Sequence, residues 1–187
     1  MKKKLLIALC LILCVSLFTI IIVKTINSSN NDNTTVTDNI IKRHIGLIGF
    51  TQEELNEMAI YIVEAEVTKV HKSSIESVVL PLASEVCDSI VTDTELVVKN
   101  VIKGDISNNK ITVRCNIGTV GDTTLICEQE PSFAEGEKVL LFLCNDEVSD
   151  TYRLAGFIYG KYVKTDNGNY MNYYSKLTIT PEELVVG

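Results

Sequence analysis

The cysteines are the residues best able to support chemistry in this 187-residue chain, but their spacing does not define a metal site. Four of the six lie in the second half or close to it, at Cys87, Cys115, Cys127 and Cys144. No two cysteines have the C-x₂-C spacing of structural zinc sites, and the only histidines are His44 and His71. The sequence therefore predicts no metal ion, and the thiols are candidates for disulfide bonds or for buried free thiols.

One disulfide pairing is favoured over the others. Four cysteines allow three connectivities, and successive strands could bring Cys115 and Cys127 together, so a Cys115–Cys127 bond is predicted. The alternation of apolar residues places Cys115 on the inward face of its strand. A buried free thiol at Cys115 is therefore equally consistent with the sequence.

Motifs for hydrolytic chemistry are absent from the sequence. There is no G-x-S-x-G nucleophile elbow. Acidic clusters such as Asp146, Glu147 and Asp150 do not have the spacing of a calcium-binding loop, and solvated turns explain them better. The sequence predicts that the protein is not an enzyme and that it carries no cofactor.

Tyrosine supplies the one positive indication of function. Six of the seven tyrosines lie between residues 152 and 174. Tyrosine gives a large contact area at low entropic cost, so Tyr170, Tyr173 and Tyr174 are predicted to form a partner-binding face. Ordinary sheet packing is the alternative, because tyrosine is also common in strands. In a strand Tyr173 and Tyr174 would point to opposite faces, so at least one is expected outside the core.

The N-terminal segment predicts a membrane anchor. Residues 5–23 contain no charged side chain, and as a helix they would span about 28 Å, close to the hydrocarbon thickness of a bilayer. Three lysines at residues 2–4 precede them, which predicts that residues 1–4 stay in the cytoplasm and that the rest is exported. A cleaved signal peptide is the alternative, but its apolar region is usually only about 7–15 residues long.

The remainder of the chain divides into a stalk and a domain. Residues 24–43 are rich in Asn, Ser and Thr, which predicts a flexible polar stalk, and residues 44–187 form the predicted β domain. After the three N-terminal lysines, the other 14 basic residues face 24 acidic ones. This excess of negative charge argues against nucleic acid as a partner.

Helix starts flank a series of predicted strands. Thr51 with Glu54 fits a capping box for a helix that runs to about Met58, and Thr180 with Glu183 fits a second, terminal helix. A hydrophobic period of two predicts strands at residues 60–70, 95–102, 111–117, 125–128, 139–143, 152–159, 161–165 and 170–176. The continuous apolar run at 139–143 is typical of a strand buried on both faces. The fold class is therefore mainly β, a small antiparallel barrel or a sandwich with short flanking helices.

Several of these segments together resemble a known group of proteins. They are residues 59–67, 97–104 and 133–143, followed by Gly156 and residues 160–162. The chain resembles uncharacterised exported or membrane-anchored bacterial proteins, which are similar to the netrin-like domains of tissue inhibitors of metalloproteinases. That resemblance covers residues 55–165 and implies a barrel of the oligonucleotide/oligosaccharide-binding (OB) type. Those inhibitors bind the protease zinc through an N-terminal cysteine, and no cysteine opens the exported domain here.

These observations lead to a functional prediction that is specific about placement and general about chemistry. We expect a single-pass protein of the cell membrane, whose extracytoplasmic domain binds a protein or a cell-wall polymer. A protease inhibitor or chaperone-like factor acting outside the membrane is the alternative.

Overall fold

The computed structural model describes residues 39–46, 49–79, 85–180 and 183. The predicted transmembrane helix at residues 5–23 and most of the predicted stalk lie outside these described residues. The predicted terminal helix also lies outside them, apart from Glu183, whose carboxylate accepts a hydrogen bond from the backbone N–H of Thr180 at 2.8 Å. Among the described residues, no helix combines the length and the apolar character needed to cross a membrane.

Twelve strands, one short α-helix and one 3₁₀ turn make up the described part of the chain. The strands are β1 Asn39–Arg43, β2 Tyr61–Val70, β3 Ser74–Val79, β4 Val86–Lys103, β5 Lys110–Cys115, β6 Gly118–Val120, β7 Thr123–Cys127, β8 Lys138–Asn145, β9 Tyr152–Leu154, β10 Lys161–Lys164, β11 Tyr170–Met171 and β12 Thr178–Ile179. Helix α1 spans Gln52–Met58, and the 3₁₀ turn spans Phe157–Gly160.

Five of the strands close into a barrel in the order β2-β4-β5-β9-β8, with β8 returning to β2. Four of the neighbouring pairs are antiparallel, and β5 pairs in parallel with β9 through Val113 and Tyr152. A closed ring with an odd number of strands cannot alternate in direction at every step, so one parallel pair is required. The prediction of a mainly β barrel is confirmed, and the prediction that it is wholly antiparallel is wrong at this pair.

The core has two compartments that share strand β8. Inward-facing side chains fill the barrel: Val63, Ala65, Val67, Leu96, Ile111, Val113, Cys115, Val139, Leu141, Leu143 and Leu154. The alternate residues of β8, Leu140 and Phe142, face a second cluster beneath α1 that includes Leu55, Tyr162, Tyr170 and Ile179. Each residue of β8 from Val139 to Leu143 is fully buried, which confirms the predicted strand that is buried on both faces.

Strands β10, β11 and β12 form an extension beside the barrel. The first half of β8 pairs with β10 and its second half with β9, so the sheet continues past the barrel at this edge. β10 and β11 form the hairpin predicted at Asn167-Gly168, where Gly168 has a φ of 91°. This extension positions the tyrosines discussed below.

Two strands lie where none was predicted. β1 occupies the end of the predicted stalk and pairs in parallel with β7, so the folded domain begins before residue 44. β3 pairs with the first part of β4, in a region where a loop was predicted after His71. Both are edge strands of mixed composition, and the exposed apolar side chains at Ile40 and Ile75 obscure the period of two.

Two other predicted strands are shorter than expected. β9 ends at Leu154, because Gly156 takes a left-handed φ of 69° and turns the chain into the 3₁₀ segment. β11 ends at Met171, so Tyr173 and Tyr174 lie in a turn and not on opposite faces of a strand. The expectation that at least one of them lies outside the core is met, since both are exposed.

The predicted capping box is present at the start of α1. The Thr51 hydroxyl accepts a hydrogen bond from the backbone N–H of Glu54 at 3.2 Å, and the Glu54 carboxylate accepts one from the Thr51 N–H at 2.8 Å. A Thr51→Ala variant is expected to lose about 1 kcal/mol in free energy of unfolding, measured by urea denaturation. Thr178→Ala removes the same atoms from an exposed strand position and should cost less than about 0.5 kcal/mol. Equal losses would contradict a capping role.

Candidate functional site

The structure separates the three tyrosines that were predicted to form one face. Tyr170 is buried, whereas Tyr173 and Tyr174 are 55% and 53% exposed. The Tyr170 hydroxyl donates a hydrogen bond to Glu64 at 2.6 Å, and the Lys164 ammonium lies 5.3 Å from the centroid of its ring. Burial and the bond to Glu64 raise the pKa of Tyr170. Tyr170 therefore packs β11 against the barrel, and the candidate binding face is reduced to Tyr173 and Tyr174.

The turn that carries Tyr173 and Tyr174 is fixed by the buried side chain of Asn172. The Asn172 amide nitrogen lies 2.8 to 3.1 Å from the carbonyl oxygens of Ile158, Tyr159 and Lys161. Its amide oxygen accepts hydrogen bonds from the backbone N–H groups of Tyr174, at 3.0 Å, and of Ser175, at 2.8 Å. One side chain thus ties the turn to the 3₁₀ segment and to β10, which presents the two tyrosines on a fixed backbone.

Aromatic packing adds a second support for the turn. The Tyr174 ring meets Tyr159 edge to face with a centroid distance of 5.2 Å, and Tyr159 meets Phe50 in the same way at 5.6 Å. Such pairs contribute roughly 0.5–1.5 kcal/mol beyond the area they bury. The row of rings links the exposed turn to the chain just before α1.

A cleft of about 340 Å³ opens beside the turn, and we call it the tyrosine cleft. Its lining includes Tyr173 and Tyr174 at the mouth, together with Glu130, Ser132, Glu137 and Lys161. Lys161 is buried and donates to the carbonyl oxygen of Ser132 at 2.6 Å and to the Glu137 carboxylate at 2.8 Å. Its ammonium also lies 4.4 Å from the centroid of the Phe133 ring. The charge of Lys161 is therefore satisfied within the wall of the cleft.

Glu130 is the unusual group in this lining. Its side chain is only 8% exposed, and burial raises the pKa of its carboxyl to about 7. The charges of Arg153 and Arg43, the backbone N–H of Asn116 and the Cys115 thiol act in the opposite direction without restoring the ordinary value. In the described part of the chain, no basic nitrogen lies within 4 Å of the Glu130 carboxylate. A buried acid that lacks a cationic partner thus lines an open cleft.

The predicted disulfide partners both lie close to Glu130. Cys115 and Cys127 are buried free thiols, and burial raises the pKa of each, with the Glu130 charge adding to the effect. The side chain of Cys115 belongs to the barrel core, which matches the inward parity expected from the sequence. The Cys115–Cys127 bond stays a prediction, because two free thiols are also the reduced form of such a pair.

The remaining candidates from the sequence have structural partners. His71 pairs with Glu95 at 2.6 Å, and the ring nitrogen Nδ1 of His44 lies 3.3 Å from the amide nitrogen of Gln129. Within the described ranges, no group of three or more His, Cys, Asp or Glu side chains is arranged to hold a metal ion.

Sequence reasoning did not identify Glu130, Lys161 or Asn172. None of them belongs to a motif, and each becomes significant only because the fold brings three distant segments together at the cleft. The chain matches no family model, and neither a curated protein nor a solved structure shows significant similarity to it.

Proposed function

We propose that this chain is a membrane-anchored, extracytoplasmic binding module that holds a partner at the tyrosine cleft. The observation that carries the proposal is the pair of exposed tyrosines on a turn whose backbone is fixed by Asn172. Large aromatic side chains that need no reordering on binding are the residues that most often dominate interface energies. The partner is a protein or a cell-wall polymer.

The anchor and the location rest on the sequence alone. The uncharged run at residues 5–23, preceded by three lysines, supports a single membrane-spanning helix with its N-terminus in the cytoplasm. The acidic excess of the remaining chain supports a domain that does not bind nucleic acid or anionic lipid.

We further propose that the barrel is of the OB type and netrin-like. An OB fold is a five-stranded Greek-key barrel. The insertion of β9 between β5 and β8 supports this class, since the last strand of the ring does not follow its neighbours in sequence order. Many OB folds bind extended ligands, which is compatible with a role in binding and does not identify the ligand.

Removing the two exposed tyrosines should abolish binding without weakening the fold. The full-length chain, purified in detergent, is used to capture partners from cell envelopes beside a Tyr173→Ala/Tyr174→Ala variant. Two interface tyrosines contribute about 2 kcal/mol or more, so recovery of the partner should fall at least about 10-fold. The melting temperature should change by no more than about 3 °C, because both side chains are exposed.

A matched double variant controls for the loss of exposed apolar surface. Ile75→Ala/Val86→Ala removes two side chains of similar exposure on the β3–β4 hairpin and should retain the partner. Equal recovery by wild-type protein and the tyrosine variant would refute a binding role for this turn.

A further inference from the structure

We infer that the tyrosine cleft binds a primary ammonium group presented by a peptide chain, with the Glu130 carboxylate as its counter-ion and the rings of Tyr173 and Tyr174 around its stem. The inference rests on the proposed function, because it names the chemistry recognised by the same cleft. It follows from three features of the lining, which are the unpaired acid, the satisfied lysine and the aromatic mouth.

The acid comes first, since its environment is unfavourable until a cation arrives. Glu130 is buried to more than nine-tenths and lines the open cleft. The basic groups nearest to it are held elsewhere: Arg153 donates to the carbonyl oxygen of Val79 at 3.1 Å, and Arg43 lies 3.4 Å from the Ser89 hydroxyl. A desolvated carboxylate without an ion partner gains more from an incoming cation than an exposed carboxylate does.

The other charges of the cleft do not oppose a cation. The ammonium of Lys161 is already paired with Glu137 at 2.8 Å, so these two groups together contribute little net charge. The chain as a whole carries a formal charge of −7, which favours the approach of cationic ligands. A neutral sugar would gain from neither of these features.

The aromatic mouth is suited to an ammonium-bearing side chain. The Lys176 ammonium already lies 6.0 Å from the centroid of the Tyr173 ring, which is the geometry of a weak cation–π contact. Tyrosine rings also pack well against the methylene stem of a lysine. The volume of about 340 Å³ accommodates one such side chain.

The test measures binding of a six-residue lysine peptide to the full-length chain in detergent micelles. A matched peptide with acetylated side chains lacks the ammonium groups, and a chitin-type oligosaccharide represents a neutral polymer. Because ionisation of Glu130 is centred near pH 7, affinity for the lysine peptide should rise roughly 10-fold from about pH 6 to about pH 8. The two neutral probes should bind at least about 10-fold more weakly than the lysine peptide at the higher pH.

Charge-matched variants connect this binding to the cleft. Glu130→Gln should reduce affinity for the lysine peptide at least about 10-fold and remove its dependence on pH. Glu128→Gln removes the same charge from an exposed position two residues away and should behave as wild type. Unchanged binding by Glu130→Gln, or equal binding of the acetylated peptide, would overturn the inference, as would preferential binding of the oligosaccharide.

These outcomes are distinct from failure of the proposed function. If partner capture depends on Tyr173 and Tyr174 while Glu130→Gln binds normally, the binding module stands and the ammonium chemistry is wrong. If capture does not depend on the tyrosines, the proposed function fails at this site.

Discussion

An Asn172→Ala variant is expected to lose about 3 to 5 kcal/mol in free energy of unfolding and to lose partner binding as well. The alanine would leave three carbonyl oxygens and two backbone N–H groups without the hydrogen bonds that the buried amide now provides. Each unmade bond costs about 0.5–1.5 kcal/mol, and more where the group stays buried. The loss is measured as the shift in the midpoint of urea denaturation, with partner capture as a second measurement.

The control for Asn172 is an asparagine without such contacts. Asn109 lies on the exposed connection before β5, and an Asn109→Ala variant should change stability by less than about 0.5 kcal/mol. A loss below about 1 kcal/mol for Asn172→Ala would show that the turn does not depend on this side chain. The claim that the tyrosines stand on a fixed backbone would then be wrong.

The second large effect is a dependence of stability on pH through Glu130. The pKa of its carboxyl rises from 4.5 to about 7 on folding, so the folded state binds more protons than the unfolded state between these values. Stability from this group is therefore greatest below about pH 4.5 and decreases as the pH rises through about 7. The total change is about 3 kcal/mol, from 1.36 kcal/mol for each pKa unit.

A glutamine at position 130 should remove this dependence. Urea denaturation at about pH 5 and about pH 8.5 should show the wild-type chain losing stability between the two values, while Glu130→Gln changes by less than about 1 kcal/mol. Glu128→Gln keeps the buried acid and should follow the wild-type chain. If all three proteins respond equally to pH, the Glu130 carboxyl is not buried in a low-dielectric site. The same substitution is thus expected to stabilise the protein at high pH and to weaken ammonium binding.

Local patterns predicted the elements whose character depends on their own residues. The capping box at Thr51 and the doubly buried strand β8 are confirmed, because a cap is a contact over three residues and β8 is apolar on both faces. Edge strands such as β1 and β3 were missed, since their formation depends on partners far away in sequence. The parallel β5–β9 pair likewise follows from closing a ring of five strands and not from any local pattern.

The site was only partly predictable for a related physical reason. The composition indicated tyrosine, and two of the three chosen tyrosines are exposed. Tyr170 was misassigned because an aromatic residue that ends a buried strand looks the same in sequence as one in the following turn. Glu130 became notable only through its burial, which the sequence does not reveal for an acid in a run of polar residues. Asn172 carries no motif, although it organises the whole turn.

The most direct measurement of the central claim is site-specific photo-crosslinking in intact cell envelopes. A photoreactive phenylalanine analogue takes the place of Tyr173 in the full-length chain, and in a second protein it takes the place of Ile75, which is similarly exposed on β3. The account predicts a discrete adduct from position 173 that is absent from position 75 and is competed by the lysine peptide. Adducts of the same kind and yield at both positions, or none at position 173, would contradict the assignment of the tyrosine cleft as the binding surface.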